Sequence, residues 1–301
     1  MFCFAVQPRI RNGSARQEHW IFQPRIFMTK PSRLSSPGRK RHARASFTFF
    51  AMSAACAAGL SPAWAQIQIA EDTAGEVASP QWGVGIGAIM ERKPYRDFKD
   101  KTLAIPFVAY ENSWISVGPP GIEVKLPSAG PVLLRLRARY ASDGYESKDS
   151  PYLAGMDKRK GSIWLGGAAI WRTDIANLSA ELLADGSGNS KGTRFAVQLD
   201  RRFSAGSFGF TPRVALQRVD RRYVDYYYGV KTAEVRRGRA QYAGKATANV
   251  EAGLRVDYAL GPQHQVFLDL GTTRFGSGIK SSPLVGRANQ AGVRLGYVYG
   301  F

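Results

Sequence analysis

Val293-Arg294-Leu295-Gly296-Tyr297-Val298-Tyr299-Gly300-Phe301 closes the chain, and Val293, Leu295, Tyr297, Tyr299 and Phe301 take every second position of it. Alternate residues of a strand share one face, whereas a helix of period 3.6 would scatter these five around its circumference. The stretch is therefore a strand with one unbroken apolar face. The same pattern recurs toward the N-terminus. In 248–258, Ala248, Val250, Ala252, Leu254, Val256 and Tyr258 oppose Asn249, Glu251, Gly253, Arg255 and Asp257. In 208–217, Phe208, Phe210, Val214 and Leu216 oppose Thr211, Arg213 and Gln217. In 132–140, Val132, Leu134, Leu136, Ala138 and Tyr140 oppose Arg135, Arg137 and Arg139.

A soluble sandwich also alternates, so three further features decide the class. The segments run to about ten residues, the length a tilted strand needs to cross the hydrocarbon layer. Their polar faces carry charges on many strands, as a wet lumen permits. Connections alternate in length: 275–289, 219–244, 185–192 and 141–161 are long, while those near 260–263, 204–206, 173–174 and 127–130 are short. Membrane barrels show this asymmetry, with short periplasmic turns and longer outer loops. Ten strands follow, at 82–90, 102–111, 131–140, 162–172, 175–184, 193–203, 207–218, 245–259, 264–274 and 290–301. Gly118-Pro119-Pro120-Gly121 breaks segment 113–126 into two short ones. The expected fold is all-β: a transmembrane up-and-down antiparallel barrel of twelve strands, or ten if the short pair does not contribute. The last strand, with its terminal phenylalanine, resembles the signal by which the barrel-assembly machinery recognises outer-membrane clients.

The net charge of +19 divides unevenly. Residues 1–65 carry ten Lys/Arg and one acid, and residues 66–301 carry 32 and 22, so the halves contribute +9 and +10. Arg39-Lys40-Arg41-His42-Ala43-Arg44, the apolar run Phe47–Leu60 and Ala63-Trp64-Ala65 follow in the order of a secretory signal peptide cleaved after Ala65. Met28 is an alternative start that gives the leader a conventional length. Both cysteines, Cys3 and Cys56, fall in the leader, and Ser53-Ala54-Ala55 lacks the aliphatic residue of a lipidation site before Cys56. The expected organisation is a leader at 1–65, a short periplasmic segment at 66–81 and an outer-membrane barrel at 82–301.

Chemistry-bearing arrangements are scarce after the leader. His264 is its only histidine and sits at a short turn, away from the outer leaflet that barrel lipases attack. Neither a nucleophile–base pair nor a metal-ligand cluster emerges, and no catalytic, cofactor or metal site is expected. Gly83, Gly85 and Gly87 lack dinucleotide spacing and read as small lumen residues beside Trp82, Val84 and Ile86. Arg135, Arg137, Arg139, Arg213, Glu251, Arg255 and Asp269 read as lumen charges, with Arg135, Arg137 and Arg139 paired with acids such as Asp200, Glu251 and Asp269. An anion-selective pore is the other reading of the same arginines, whereas nucleic acid is excluded by export. In 219–244, Tyr226, Tyr227, Tyr228, Arg236, Arg239 and Tyr242 combine residue types enriched at binding hot spots. They are candidate contacts for a protein partner or for the phosphates of lipopolysaccharide.

Several loops resemble the MltA-interacting protein/OmpV family of outer-membrane proteins. Tyr226-Tyr227-Tyr228-Gly229-Val230 with Gly238-Arg239 and Tyr242 is similar to its tyrosine-rich segment. Leu153-Ala154-Gly155-Met156-Asp157-Lys158-Arg159 and Ser282-Pro283-Leu284-Val285 resemble two further elements, in order, from about Trp82 to Phe301. The first loop keeps Pro94-Tyr95 but lacks the family's Gly-Ser-Asp. The resemblance implies a non-enzymatic scaffold at the outer membrane, with a murein lytic transglycosylase and a murein synthase as partners. Outside that reading stand a small-solute or anion porin and a lipid A or phospholipid hydrolase. Mass spectrometry of the purified envelope protein is expected to find Gln66 at the mature N-terminus; any other first residue refutes the cleavage assignment.

Overall fold

The computed structural model describes residues 81–301; the leader, its cleavage position and residues 66–80 lie outside the described residues. Thirteen strands form one antiparallel sheet. They are β1 (Gln81–Arg92), β2 (Lys101–Glu111), β3 (Ile115–Gly118), β4 (Gly121–Ala129) and β5 (Val132–Ala141). After a long loop come β6 (Ser162–Arg172), β7 (Asn177–Asp185), β8 (Thr193–Asp200), β9 (Phe203–Ala205) and β10 (Phe208–Val219). A second long loop leads to β11 (Thr247–Ala259), β12 (His264–Arg274) and β13 (Asn289–Gly300). Among the described residues no helix is long and apolar enough to cross a membrane.

Closure follows from the register. Neighbours in sequence pair except β8 and β9, which both pair β10; β10 also pairs β11, and β13 returns to β1 from Gly83↔Gly300 to Arg92↔Ala291. The Phe301 amide extends that seam by donating to the Trp82 carbonyl at 3.0 Å. β8 and β9 share one register against β10, as Asp200↔Arg213 and Phe203↔Phe210 show, so they are a single stave interrupted at Arg201 and Arg202. The barrel thus has twelve staves, the larger of the two expected counts.

Pairing also assigns the faces. Val84, Ile86 and Met90 are exposed on the outside, as are Leu136 and Leu165. Water would not leave such a band uncovered, since a patch of this extent marks a lipid-facing surface. Trp82, Trp171, Phe208, Tyr258 and Phe301 crowd the end where the chain terminates. Aromatic belts occupy membrane–water interfaces. Inward residues lie between them: Gly83, Gly85 and Gly87 are on the lumen face, opposite Ala109, Phe107 and Ile105.

The expected breaker makes the β3–β4 hairpin short. Whereas β1 and β2 pair over their whole length, β2 meets β3 only at Tyr110↔Val117 and Glu111↔Ser116.

Lumen glycines have a packing role. The Phe107 ring lies where a side chain on Gly85 would be, and the Arg213 guanidinium covers Gly253 on its way to Asp269. Gly166 serves the wall itself, because a Cβ there would overlap the Leu182 carbonyl oxygen of β7. Gly166→Ala is expected to force β6 and β7 apart at a cost of about 1–3 kcal/mol. Gly261→Ala has open space around it and is the control. Urea unfolding in detergent checks this: equal midpoints for both variants would show that the close approach does not constrain the barrel.

Candidate functional site

Two layers fill the barrel. The lower one is built from charges on lumen faces. Arg137 and Arg139 on β5 bridge Glu123 on β4 and Glu181 on β7: Arg137 Nε lies 2.9 Å from Glu123 Oε1 and Nη1 lies 2.7 Å from Glu181 Oε2. Arg139 repeats the pattern at 2.8 and 3.1 Å. Arg213 grips Asp269 at 2.8 and 2.9 Å, and Arg255 lies 2.8 Å from Asp257 and 4.4 Å from the centre of the Phe267 ring. These residues stand on lumen-facing positions of their strands, and the pairing differs from the one expected. Arg137 and Arg139 reach Glu123 and Glu181, while Asp200 accepts from Asn177 and Gln198. Tilt and register, which the alternation does not encode, choose the partners. Arg135 donates to the Leu134 carbonyl, and Glu251 lines a cavity of about 50 Å³ with Arg139, Glu181, Arg194 and Arg213.

These charges are not channel-exposed. Arg255 and Asp269 retain only 4% and 2% of their accessible surface. The cavity beside Glu251 has room for a few waters.

Above the charges sits an aromatic cap made by the long loops. Asp220 accepts from the Tyr223 amide at 2.9 Å and so starts helix α1 (Arg221–Tyr228) in the loop 220–246. Side-chain capping of this kind satisfies an amide that the first turn leaves unpaired. The helix turns Tyr223, Val224, Tyr227 and Tyr228 inward. Tyr95 from the first loop stacks on Tyr228 at 5.6 Å and meets Tyr145 edge-on at 4.8 Å. Its hydroxyl donates to the carbonyls of Asp143 and Tyr227. Trp164, fully buried at the top of β6, carries the Arg194 guanidinium 4.3 Å from its ring centre, and Arg194 reaches Asp143 at 2.7 Å. Burial pushes the Asp143 carboxyl up despite Arg194 and Lys93, and it pushes the Tyr95 and Tyr223 hydroxyls well above the ordinary phenol range. Lys93 is buried too and donates to the carbonyls of Ser142 and Gly144 at 2.8 and 2.6 Å. Burial pushes its ammonium down.

The loop residues selected from the sequence as contacts turn out to hold the loops together. Tyr227, Tyr228 and Arg239 are buried and offer nothing to a partner. Arg239 donates to the carbonyls of Glu234, Tyr152 and Ala154, and Arg236 donates to those of Pro151, Tyr152 and Ala154. Both staple the loop 142–161 to the loop 220–246. Tyr226 accepts from the Lys160 amide at 2.9 Å, and Tyr242 donates to Gly278 at 2.6 Å. Arg159 meets Glu234 at 2.9 and 3.0 Å in a fully buried pair. Residues that sequence reasoning missed are Tyr95, Lys93, Asp143, Trp164 and Arg194; only Pro94-Tyr95 carried a signal, through the resemblance. His264 stands at the short-turn end, its Nδ1 2.6 Å from the Tyr297 hydroxyl oxygen.

A closed antiparallel barrel with an apolar outer band, an aromatic belt and a polar interior is a β-barrel of the outer membrane. The model of the family "MltA-interacting protein MipA" matches residues 84–301, and the chain belongs to that family. YiaT of Escherichia coli K12 is 26% identical over 68% of this chain and 84% of its own length. Outer membrane protein OmpV of Vibrio cholerae is 23% identical over 70% of this chain and 82% of its own. The MltA-interacting protein of Escherichia coli K12 is 23% identical over 73% and 89%. Among solved structures, an outer membrane channel from Pseudomonas putida F1 superimposes with a TM-score of 0.40 at 10% identity, over 81% of this chain and 100% of that one. The protein resides in the outer membrane.

Glu234→Ala leaves Arg159 charged and buried, a loss of about 3–5 kcal/mol within the cap. Intact cells carrying it are expected to be cut in the 142–161 and 220–246 loops by added protease, where the parent resists. Equal resistance would show that the pair does not hold the cap.

Proposed function

We propose that this protein is a non-enzymatic scaffold that holds murein-remodelling enzymes at the outer membrane. The filled lumen is the observation that supports this reading. With Arg255, Asp269 and Trp164 buried in the interior, little path is left for a solute, and the useful surfaces are the ends and the wall. One relative is named for its interaction with MltA, and a partner that works on murein lies in the periplasm. It would therefore meet the short turns and not the tyrosine-rich loops. Those turns are pre-shaped: Thr173 accepts at its hydroxyl from the amides of Ile175 and Ala176 and donates to the Ala176 carbonyl. Ile175 is 76% exposed at that tip, and Leu260 is 58% exposed at another. Apolar tips on ordered turns suit a docking surface, since little conformational entropy is lost on binding. The outer loops, with Arg236 and Tyr226 at their surface, are left to face lipopolysaccharide. Val293 to Phe301, at the closing seam, are the segment the barrel-assembly machinery would read.

A photoreactive amino acid placed at Ile175 or Leu260 in living cells is expected to cross-link a lytic transglycosylase or a murein synthase. The same probe at Arg236 is expected to capture neither. Failure at both turns overturns the scaffold reading, and stepwise conductance of the purified protein in planar bilayers would replace it with a pore.

A further inference from the structure

Around the closed ring, the described residues leave one flank without a neighbouring strand, on the outer half beside β2. β2 is paired with β1 from Gln81↔Glu111 to Glu91↔Lys101, yet its other edge meets β3 only at residues 110 and 111. The β3–β4 hairpin turns back at Gly118↔Gly121, and Gly121 pairs with Arg139 near the top of β5. The edge of β2 over 101–109 therefore runs toward the outer rim with no strand beside it among the described residues. In hydrocarbon such an edge leaves amides and carbonyls unsatisfied, and exposed sheet edges do not occur there without cover.

What borders this edge is chemically distinctive. At its top lies an open cleft of about 410 Å³. Lys101 lines it from the lumen face of β2, and Tyr140 lines it from the lipid face of β5, so the cleft passes through the wall. Lys93, Lys148, Lys158, Arg159 and Lys160 also line it, against only two carboxylates, Glu146 and Asp149. Arg159 is matched by Glu234 behind the lining, so five lysines against two acids leave an excess of +3, with the loops that contribute them folded in place by the cap. Ser142 and Tyr145 line the same cleft, are 4% and 2% exposed, and have buried hydroxyls with no hydrogen-bond partner. A buried hydroxyl left unpaired is costly, and an incoming acceptor would recover that cost. Below the cleft, the lumen face of β2 presents Leu103, Ile105, Phe107 and Ala109, an apolar strip in an interior otherwise crossed by ion pairs.

We propose that this opening is a lateral binding site for a phosphate-bearing lipid of the outer leaflet. Its phosphate enters the basic cleft, where Tyr145 and Ser142 donate to it alongside the lysines. One acyl chain lies against the open edge of β2 and the strip from Leu103 to Phe107. Charge and unpaired donors match the phosphate and the apolar strip matches the acyl chain, in the order the membrane presents them. This site is independent of the periplasmic scaffold reading and survives if that reading fails.

The test uses the whole mature barrel in detergent, with diphosphoryl lipid A as the probe. Binding to the parent is expected, with at least a tenfold weaker affinity for Lys148→Glu/Lys158→Glu/Lys160→Glu and a severalfold loss for Tyr145→Phe. The dephosphorylated glycolipid is expected to bind neither better nor worse to the triple variant than to the parent. Equal affinity of parent and triple variant for the phosphorylated form overturns the site. Inorganic phosphate competing at equal concentration would mean an anion site without a lipid, and overturns it too. A second measurement follows the chain: Phe107→Trp fluorescence is expected to be quenched, beyond the parent's own tryptophans, by phospholipids brominated on their acyl chains. Phe267→Trp, on the lumen face of β12, is not. Equal quenching of the two overturns the lateral opening.

Discussion

In hydrocarbon no water is present to satisfy a peptide group, so each amide and carbonyl of a spanning segment must find its partner in the protein. For strands this leaves closure as the solution, and much of the chain's layout follows from it. The two terminal strands must meet, and they do along ten paired positions of β1 and β13 with the Phe301 amide continuing the seam. Connections must be short at one end and free to grow at the other. Arg201 and Arg202 interrupt a stave only where the chain is close to the aqueous end. The same requirement makes the unpaired flank of β2 significant: a departure from closure in lipid needs a covering group, whereas on a soluble sheet it would be an ordinary edge.

Inside, the constraint changes sign. Charges removed from water are costly unless each meets a counter-charge with good geometry. Twelve staves enclose too little space for a wide aqueous channel, and arginine is suited to the gap. It is long enough to pass over an intervening strand, and its fork binds two acids at once, as Arg137 and Arg139 do with Glu123 and Glu181. Such reach requires room, and glycine supplies it where Arg213 crosses Gly253 to Asp269. Glycine on one strand and a long side chain on its neighbour are thus two halves of one packing device. Phe107 over Gly85 and Phe267 over Gly296 are its apolar versions.

The wall was legible in the sequence because it obeys a period. Strand positions fell within a few residues, and Gly118-Pro119-Pro120-Gly121 announced the short hairpin. Lumen placement of Arg137, Arg139, Arg213, Arg255 and Asp269 came from the same alternation. Their partners did not, because pairing across a tilted sheet depends on register, and Glu123 and Glu181 lie 14 and 44 residues from Arg137. The cap was the least legible part. Tyr226, Tyr227, Tyr228, Arg236 and Arg239 have the composition of a contact surface, yet three of the five are buried and all five bind other loops or the barrel rim. Composition reports what a side chain can bind, not whether the chain itself has already bound it. Hydrogen bonds from arginine to carbonyls, such as Arg239 to Tyr152 and Ala154, carry no periodic signature.

On the scaffold reading, a barrel whose interior is crossed by its own charges and capped by its own aromatics works through its ends and its wall. These are three surfaces, and each faces a different phase. The turns meet the periplasm, the loops meet the exterior, and the wall meets lipid. Rigidity links them: the cap is tied to β5, β6 and β8 through Asp143, Trp164 and Arg194, so the loops that hold the basic cleft cannot swing away from the open flank of β2. A flexible loop would have to lose conformational entropy on each encounter with a ligand, and this one has lost it on folding. The arginines and tyrosines that suggested an interaction surface therefore contribute to binding indirectly, by holding neighbouring lysines and hydroxyls where a ligand can meet them.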